Sequence, residues 1–239
     1  MQVHVYDSQR QAALAAASLF AARILSKPSA VLGLATGSTP VDTYKQLILW
    51  YNEGLLDFSN CSSFNLDEYV GLTPDHPCSY RRFMDEELFV HINMKETSVP
   101  LGYVTDLQAE ARRYDAMIEQ AGGIDIQLLG LGQNGHIGFN EPDSSFSYGT
   151  QVVTLTKNTI EANSHFFDSE DDMPKQAISL GIGGIMKARQ IVLIACGGSK
   201  AQAVLDMIKG PVDPMCPASI LQLHQDAVVL LDAQAASLL

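Results

Sequence analysis

The sequence predicts an α/β fold: one domain over residues 1–239, built on a mostly parallel, doubly wound (Rossmann-like) sheet flanked by helices. Two observations predict it. Short apolar runs of the kind that form buried parallel strands alternate with longer stretches of helical length. The chain has 239 residues, 46% of them hydrophobic, which is sufficient for one large core without a second domain.

The predicted elements alternate along the chain. Seven short apolar runs are predicted to be strands: Val3–Tyr6, Ala30–Ala35, Cys61–Leu66, Ile124–Leu129, Val152–Thr156, Gln190–Cys196 and Ala227–Leu231. Six stretches have helical character, near residues 8–26, 40–53, 79–91, 107–121, 199–208 and 217–223. The alanine-rich part of the first follows a predicted strand and an acidic residue, which favours an amphipathic helix over a signal peptide.

Charge and cysteine usage exclude several classes of function. The formal net charge is −12, from 15 basic and 27 acidic residues, and no run of lysine or arginine is present, so nucleic acid is not expected as a partner. No apolar run reaches the ~18 residues that span a bilayer. The four cysteines form no CxxC pair and show no zinc-type spacing, which favours reduced thiols. We therefore expect a cytoplasmic protein without a membrane partner.

The stretch Leu128–Pro142 is the most informative, because a predicted strand ends near Gly130 in a glycine-rich loop with polar groups. A dinucleotide fingerprint, G-x-G-x-x-G, is one interpretation, but the loop is not followed by a helix-forming segment, which argues against it. An acid–base site is another, with His136 oriented by Asn134 or Glu141, since histidine titrates near neutral pH. The remaining alternative is a histidine that only satisfies loop backbone groups.

A second candidate site follows the strand Ala30–Ala35. Gly37, Ser38 and Thr39 offer free backbone N–H groups and two hydroxyls at the start of a helix, with Pro40 suited to its first turn. That arrangement suits a phosphate, although an ordinary helix N-cap would use the same residues. The loop lacks the glycine-lysine-Ser/Thr ending of a Walker A motif.

Two further strand ends carry charged residues. Asp67 and Glu68 follow the third strand, and because successive side chains alternate, at most one is expected to enter a cleft shared with His136, where it can act as a base. A solvated acidic pair is the alternative. Lys200 lies in the first turn of a predicted helix, where a cation is disfavoured unless it meets an anion; an ordinary surface lysine is the alternative. All four strand ends are expected at one edge of the sheet.

Taken together, these motifs resemble the glucosamine/galactosamine-6-phosphate isomerase family, and within it the glucosamine-6-phosphate deaminases. The segments that carry the resemblance are residues 37–40, 64–72, 79–84, 130–142, 162–164, 197–201 and 221–224. The pair DEYVGL and NGHIGFNEP is the most specific part. The related 6-phosphogluconolactonases are expected to differ after the Gly-His pair and after the Asp-Glu pair.

The resemblance implies conversion of D-glucosamine 6-phosphate and water to D-fructose 6-phosphate and ammonia, in amino-sugar catabolism, with no metal and no organic cofactor. It implies that Asp67 moves a proton between C2 and C1, and that His136 opens the sugar ring with support from Asn134 and Glu141. The implied phosphate ligands are Gly37, Ser38, Thr39, Lys200 and His165.

Four positions differ from some or most members of the family. His165 stands where an arginine usually helps to bind the phosphate, and some members have aspartate in place of Asn134. Allosteric members carry basic residues where this chain has Gln151 and Val153. We therefore expect a non-allosteric enzyme that is a monomer or a small homo-oligomer.

Other functions remain open on the same fold. A 6-phosphogluconolactonase-like or other sugar-phosphate enzyme is one, and a sugar-phosphate sensor without turnover is another. A metal site formed by Asp67, His136 and Glu141 is a further rival to acid–base chemistry. Ammonia release from glucosamine 6-phosphate distinguishes the deaminase from the others.

Overall fold

A seven-stranded parallel sheet forms the centre of the fold. The computed structural model describes residues 1–156, 159–160, 167 and 173–239. In chain order the strands are β1 (Gln2–Tyr6), β2 (Val31–Leu34), β3 (Ser62–Asn65), β4 (Asp67–Tyr69), β5 (Glu96–Ser98), β6 (Ile126–Gly130), β7 (Gln151–Thr154), β8 (Gln176–Ser179), β9 (Ile191–Ala195) and β10 (Ala227–Asp232). The parallel sheet has the order β1-β10-β9-β6-β2-β3-β5.

Helices cover both faces of this sheet, which confirms the doubly wound α/β class. They are α1 (Gln9–Ser26), α2 (Val41–Asn52), α3 (Tyr80–Glu87), α4 (Leu107–Gln120), α5 (Ile182–Ile185) and α6 (Ala201–Lys209), with 3-10 segments at Phe89–His91, Gly198–Lys200 and Pro217–Leu223. Alternate residues of β2 explain the two layers. Leu32 and Leu34 pack with α1, α2 and α3, whereas Val31 packs with α4, α5 and α6.

A second, antiparallel sheet of three strands lies beside the first, in the order β4-β8-β7. The predicted strand Val152–Thr156 is present as β7, but the expectation that it joins the parallel sheet is wrong, because it pairs antiparallel with β8. The predicted helix at residues 217–223 is a 3-10 segment that starts with a proline. Within the described residues, no helix combines the length and apolar character that crossing a membrane requires.

The strand order places the four candidate loops side by side. β9, β6, β2 and β3 are consecutive neighbours in the sheet, and each is followed by one of the loops that carry the predicted site residues. From β2 the chain continues to β3 on one side, whereas β6 lies on the other side and continues to β9. The adjacent strands β2 and β6 therefore form a topological switch point, where open α/β sheets bind ligands beyond the carboxyl ends of the strands.

Candidate active site

The loop after β6 fixes the orientation of His136. Its Nδ1 lies 2.7 Å from Oδ1 of Asn134, and the Nδ2 of Asn134 donates to Oε2 of Glu141 at 2.7 Å. Since the amide oxygen can only accept, Nδ1 of His136 carries a proton. In the neutral ring Nε2 is then the basic nitrogen, and it has no partner among the described residues.

Glu141 is ionised, and it is the last of three side chains linked by hydrogen bonds, after His136 and Asn134. Its Oε2 lies 3.5 Å from Nδ1 of His136, and its Oε1 accepts a hydrogen bond from Oγ1 of Thr159. Burial raises the pKa of Glu141, but the hydrogen bonds and the His136 charge outweigh it and lower the pKa to about 2. The negative charge of the Glu141 carboxylate therefore lies on the Nδ1 side of the His136 ring, where it stabilises the imidazolium form.

Asp67, the first residue of β4, lies on the other side of the same loop. The Gly138 backbone, with a φ of +57°, lies so close that a Cβ there would be 3.4 Å from Oδ2 of Asp67. Asp67 is 6% exposed and accepts no hydrogen bond from the described part of the chain. Burial, followed by the charge of Glu68, raises its pKa to about 8. Asp67 can therefore take up and release a proton near neutral pH.

Aromatic side chains surround this carboxyl group. The ring of Tyr80 stacks on Phe139 with a centroid separation of 6.0 Å and an interplanar angle of 7°, and Tyr69 contacts both rings. Glu68 turns away from Asp67 and binds the start of α3. Only one of the two adjacent carboxylates thus faces the loop that holds His136.

The loop between β2 and α2 presents unused hydroxyls. Gly37 has a φ of +96°, and α2 begins at Val41 with Pro40 as its N-cap and without a side-chain capping bond. Neither Ser38 nor Thr39 forms a side-chain hydrogen bond with a described residue. The helix-capping alternative is therefore wrong for this loop, and its donors are available to a ligand.

Lys200 lies at the N-cap of α6, at the same edge of the sheet. It is partly buried, forms no ion pair with any residue that the structure describes, and burial lowers its pKa. A lysine withdrawn from water without a carboxylate partner is well suited to an anionic ligand. His165, the other predicted cation, lies outside the described residues.

Thr159 is a site residue that the sequence did not reveal. It is buried, and its hydroxyl donates to Glu141 from a position 18 residues further along the chain. A lone threonine between two strands shows no pattern that indicates such a contact. In the described ranges, no three His, Cys, Asp or Glu side chains are grouped so that they can hold a metal ion, and the rival site at Asp67, His136 and Glu141 is not formed.

The fold and site are those of an α/β enzyme, with candidate acid–base residues and candidate anion-binding groups at the switch point. The chain belongs to the family of glucosamine-6-phosphate isomerases and 6-phosphogluconolactonases, whose model matches residues 7–230. The resemblance inferred from the motifs is thereby confirmed.

Similar proteins carry more specific names. The chain is 51% identical over 241 residues to the glucosamine-6-phosphate deaminase of Thermoanaerobacter sp. (strain X514), covering 100% of this chain and 95% of the relative. It is 54% identical over 217 residues to that of Lachnoclostridium phytofermentans, covering 90% and 92%. A solved monomeric glucosamine-6-phosphate deaminase matches with a TM-score of 0.97 and 46% identity over 100% of both chains.

The 6-phosphogluconolactonases are more distant. The enzyme from Leishmania guyanensis matches with a TM-score of 0.78 and 22% identity, covering 98% of this chain and 97% of that one. At this level of identity the likeness shows the shared fold alone.

Proposed function

We propose that this chain is a glucosamine-6-phosphate deaminase, which converts D-glucosamine 6-phosphate and water to D-fructose 6-phosphate and ammonia. One observation carries the proposal. Asp67, with a pKa raised to about 8, and His136, held by Asn134, lie at one glycine-rich loop in a chain half identical to named deaminases. The reaction needs a base close to C1 and C2 of the sugar, and an acid–base group close to the anomeric hydroxyl and the ring oxygen.

Ring opening is assigned to His136. The free Nε2 accepts the proton of the anomeric hydroxyl, and the protonated ring then returns a proton to the ring oxygen as the C1–O5 bond breaks. Asn134 keeps the other ring nitrogen protonated, and Glu141 stabilises the imidazolium that forms between the two steps.

Isomerisation is assigned to Asp67. Its carboxylate removes the proton from C2 of the open-chain aldose and returns it to C1, and O1 gains the proton that the nitrogen loses, which gives a 2-imino sugar. Water then adds to the imine carbon, and ammonia leaves as the ketose forms. The buried position of Asp67 makes it a stronger base than an exposed aspartate, because burial disfavours its charged form.

Phosphate binding is assigned to the two loops at the neighbouring strand ends. The proposed ligands are Gly37, Ser38, Thr39, Lys200 and His165. The hydroxyls of the first loop and the ammonium group of the second have no side-chain partner among the residues that the structure describes, which supports this assignment. Binding energy from the phosphate positions C1 and C2 between Asp67 and His136.

We further propose that residues 1–239 act as one cytoplasmic, monomeric domain. The monomeric relative with 46% identity supports the oligomeric state, and four cysteines without a CxxC pair suit a reducing compartment. No metal or organic cofactor is required in this proposal, since ring opening and the proton transfer between C2 and C1 are both assigned to side chains. Light scattering at micromolar concentration tests the monomer, and a dimer mass would contradict it.

The decisive experiment measures ammonia and fructose 6-phosphate formed from glucosamine 6-phosphate, with a chelator present throughout. Asp67→Asn is expected to lower the rate on the order of 10²–10⁴-fold and to abolish exchange of the C2 proton with deuterated solvent. Asp7→Asn, at an exposed position, is the matched control. Hydrolysis of 6-phosphogluconolactone in place of deamination, or substrate binding without turnover, would contradict the proposal.

A further inference from the structure

Glu68 forms a dense set of hydrogen bonds beside the proposed base. Its Oε1 accepts from the backbone N–H groups of Tyr69 at 2.8 Å and Tyr80 at 3.0 Å. Its Oε2 accepts from the Ser79 hydroxyl at 2.8 Å and the Arg81 N–H at 3.0 Å. Burial raises the pKa of this carboxyl group, which is only 3% exposed, whereas the three backbone N–H groups, which can only donate, and the Ser79 hydroxyl favour its ionised form.

These bonds attach β4 to the first turn of α3, and that turn carries Tyr80. The ring of Tyr80 stacks on Phe139 in the loop of His136, and its hydroxyl donates to the Tyr69 hydroxyl at 3.2 Å. The same hydroxyl lies within hydrogen-bonding reach of Thr36, next to the proposed phosphate loop. Tyr80 therefore links β4, the loop of His136 and the segment that leads into the proposed phosphate loop.

An ordinary capping role does not account for Glu68. Helix α3 already has an N-cap residue, Ser79, whose hydroxyl accepts from the backbone N–H groups of Arg81 at 3.1 Å and Arg82 at 3.5 Å. The carboxylate also accepts from the Tyr80 N–H, but a neutral acceptor could take that bond, whereas a charge in this buried position has a cost in desolvation. That charge is on the residue directly after Asp67.

Glu68 is the neighbouring carboxylate whose charge acts on Asp67, although its side chain is directed toward α3. The other titratable groups around Asp67 are Tyr69 on β4 itself, Tyr80 on α3 and Tyr114 on α4, and burial raises the pKa of all three hydroxyls so that they stay neutral. His136 lies in the loop that contacts Asp67 through Gly138. A like charge held in a fixed place favours the protonated form of its neighbour.

We infer that Glu68 is a positioning residue. It fixes the positions of Asp67 and Tyr80 relative to each other, and its charge favours the protonated form of Asp67. This inference rests on the proposed function. It deepens that proposal, because it assigns part of the strength of the base, beyond the effect of burial, to a residue that does not touch the substrate.

The test compares Glu68→Gln with Ser79→Ala. Both remove hydrogen bonds at the start of α3, but only Glu68→Gln removes the charge. We expect the acidic limb of the pH profile of kcat/KM to move to lower pH by about one unit in Glu68→Gln, with kcat falling more than KM changes. In Ser79→Ala the melting temperature is expected to fall while the limb stays in place. If the acidic limb of the kcat/KM profile lies at the same pH in both variants, Glu68 is only a structural cap of α3 and the inference is overturned.

Two further measurements keep the inference testable. Glu68→Asp keeps the charge but shortens the side chain, so kcat is expected to fall while the acidic limb stays near its wild-type position; a shifted limb would contradict the electrostatic part. Carbon-13 NMR titration of the Asp67 carboxyl group in wild type and Glu68→Gln needs no turnover. If the wild type releases no ammonia, the proposed function fails, whereas a lower Asp67 pKa in the variant still supports the field of Glu68, and an unchanged pKa overturns it.

Discussion

The imidazole of His136 occupies the space above Gly132 that any side chain there would need, since a Cβ at position 132 would lie 2.2 Å from Nδ1. Gly132→Ala is therefore expected to push the ring away from Asn134 and to break the 2.7 Å contact between them. We expect kcat for glucosamine 6-phosphate to fall about 10²-fold, the usual effect of a displacement near 1 Å at a reacting group.

The control for this prediction is Gly130→Ala, two residues earlier at the end of β6. A Cβ at Gly130 meets nothing within 4 Å, so the same chemical change is made without a contact. Steady-state kinetics and circular dichroism on both variants are the measurements. Equal kcat values for the two alanine variants would show that the position of the His136 ring does not limit the reaction.

The ionised, buried carboxylate of Asp67 is expected to lower the free energy of unfolding at alkaline pH. Its folded pKa of about 8 exceeds the ordinary value of an aspartate, so the folded state binds the proton more tightly than the unfolded state. The associated stability is present below the unfolded pKa and is lost as pH rises toward 8. Asp67→Asn removes this loss, and we expect it to raise the free energy of unfolding at pH 9 by on the order of 2–5 kcal/mol, with a much smaller effect at pH 4.

Urea unfolding of wild type, Asp67→Asn and the exposed Asp7→Asn at both pH values tests this prediction. Asp7→Asn is expected to leave the pH dependence as it is. A gain in Asp67→Asn that is the same at pH 4 and pH 9 would mean that Asp67 is not protonated in the folded protein.

The strands at the centre of the sheet could be predicted because burial on both faces requires apolar runs, and such runs are visible in sequence. β9 and β10 are examples, with five or six consecutive buried residues each. β4, β5 and β8 escaped prediction. They are three or four residues long and contain polar residues, so their pairing partners rather than their own composition make them strands.

The site, too, has residues that could be predicted from the sequence and residues that could not. His136, Asn134 and Glu141 are close in sequence, and the order of the parallel strands predicts that Asp67 lies near them. Thr159 could not be found in this way, because it is 18 residues from Glu141 in the chain and no sequence pattern indicates a contact between them. Which of two adjacent carboxylates faces the site also depends on tertiary contacts, here those of Glu68 with α3.

Lys200→Met is expected to weaken substrate binding more than chemistry. The methionine keeps most of the apolar stem but removes the ammonium group, and loss of one charge-assisted hydrogen bond of ~1.5–3 kcal/mol corresponds to a rise in KM on the order of 10- to 100-fold. Inorganic phosphate, as a competitive inhibitor, should lose affinity in parallel. Lys209→Met, at the exposed C-terminal end of the same helix, is the charge-matched control. Equal inhibition constants for phosphate in the two variants would place Lys200 outside the phosphate site.

Thr159→Val is expected to impair ring opening but not proton exchange at C2. Valine has the shape of threonine without the hydroxyl, so Oε1 of Glu141 loses its donor and Thr156, which donates to Thr159 at 3.2 Å, loses its acceptor. Loss of one hydrogen bond to a charged group, at roughly 1.5 kcal/mol, predicts a fall in kcat on the order of tenfold with the ring-closed substrate. Exchange at C2 of an open-chain analogue depends on Asp67 and should stay near the wild-type rate.

Thr159→Ser is expected to restore turnover because it restores the donor, and Thr154→Val, on an exposed part of β7, controls for the change of residue type. Equal losses in both assays would mean that Thr159 supports the fold around the site rather than the charge of Glu141 behind His136.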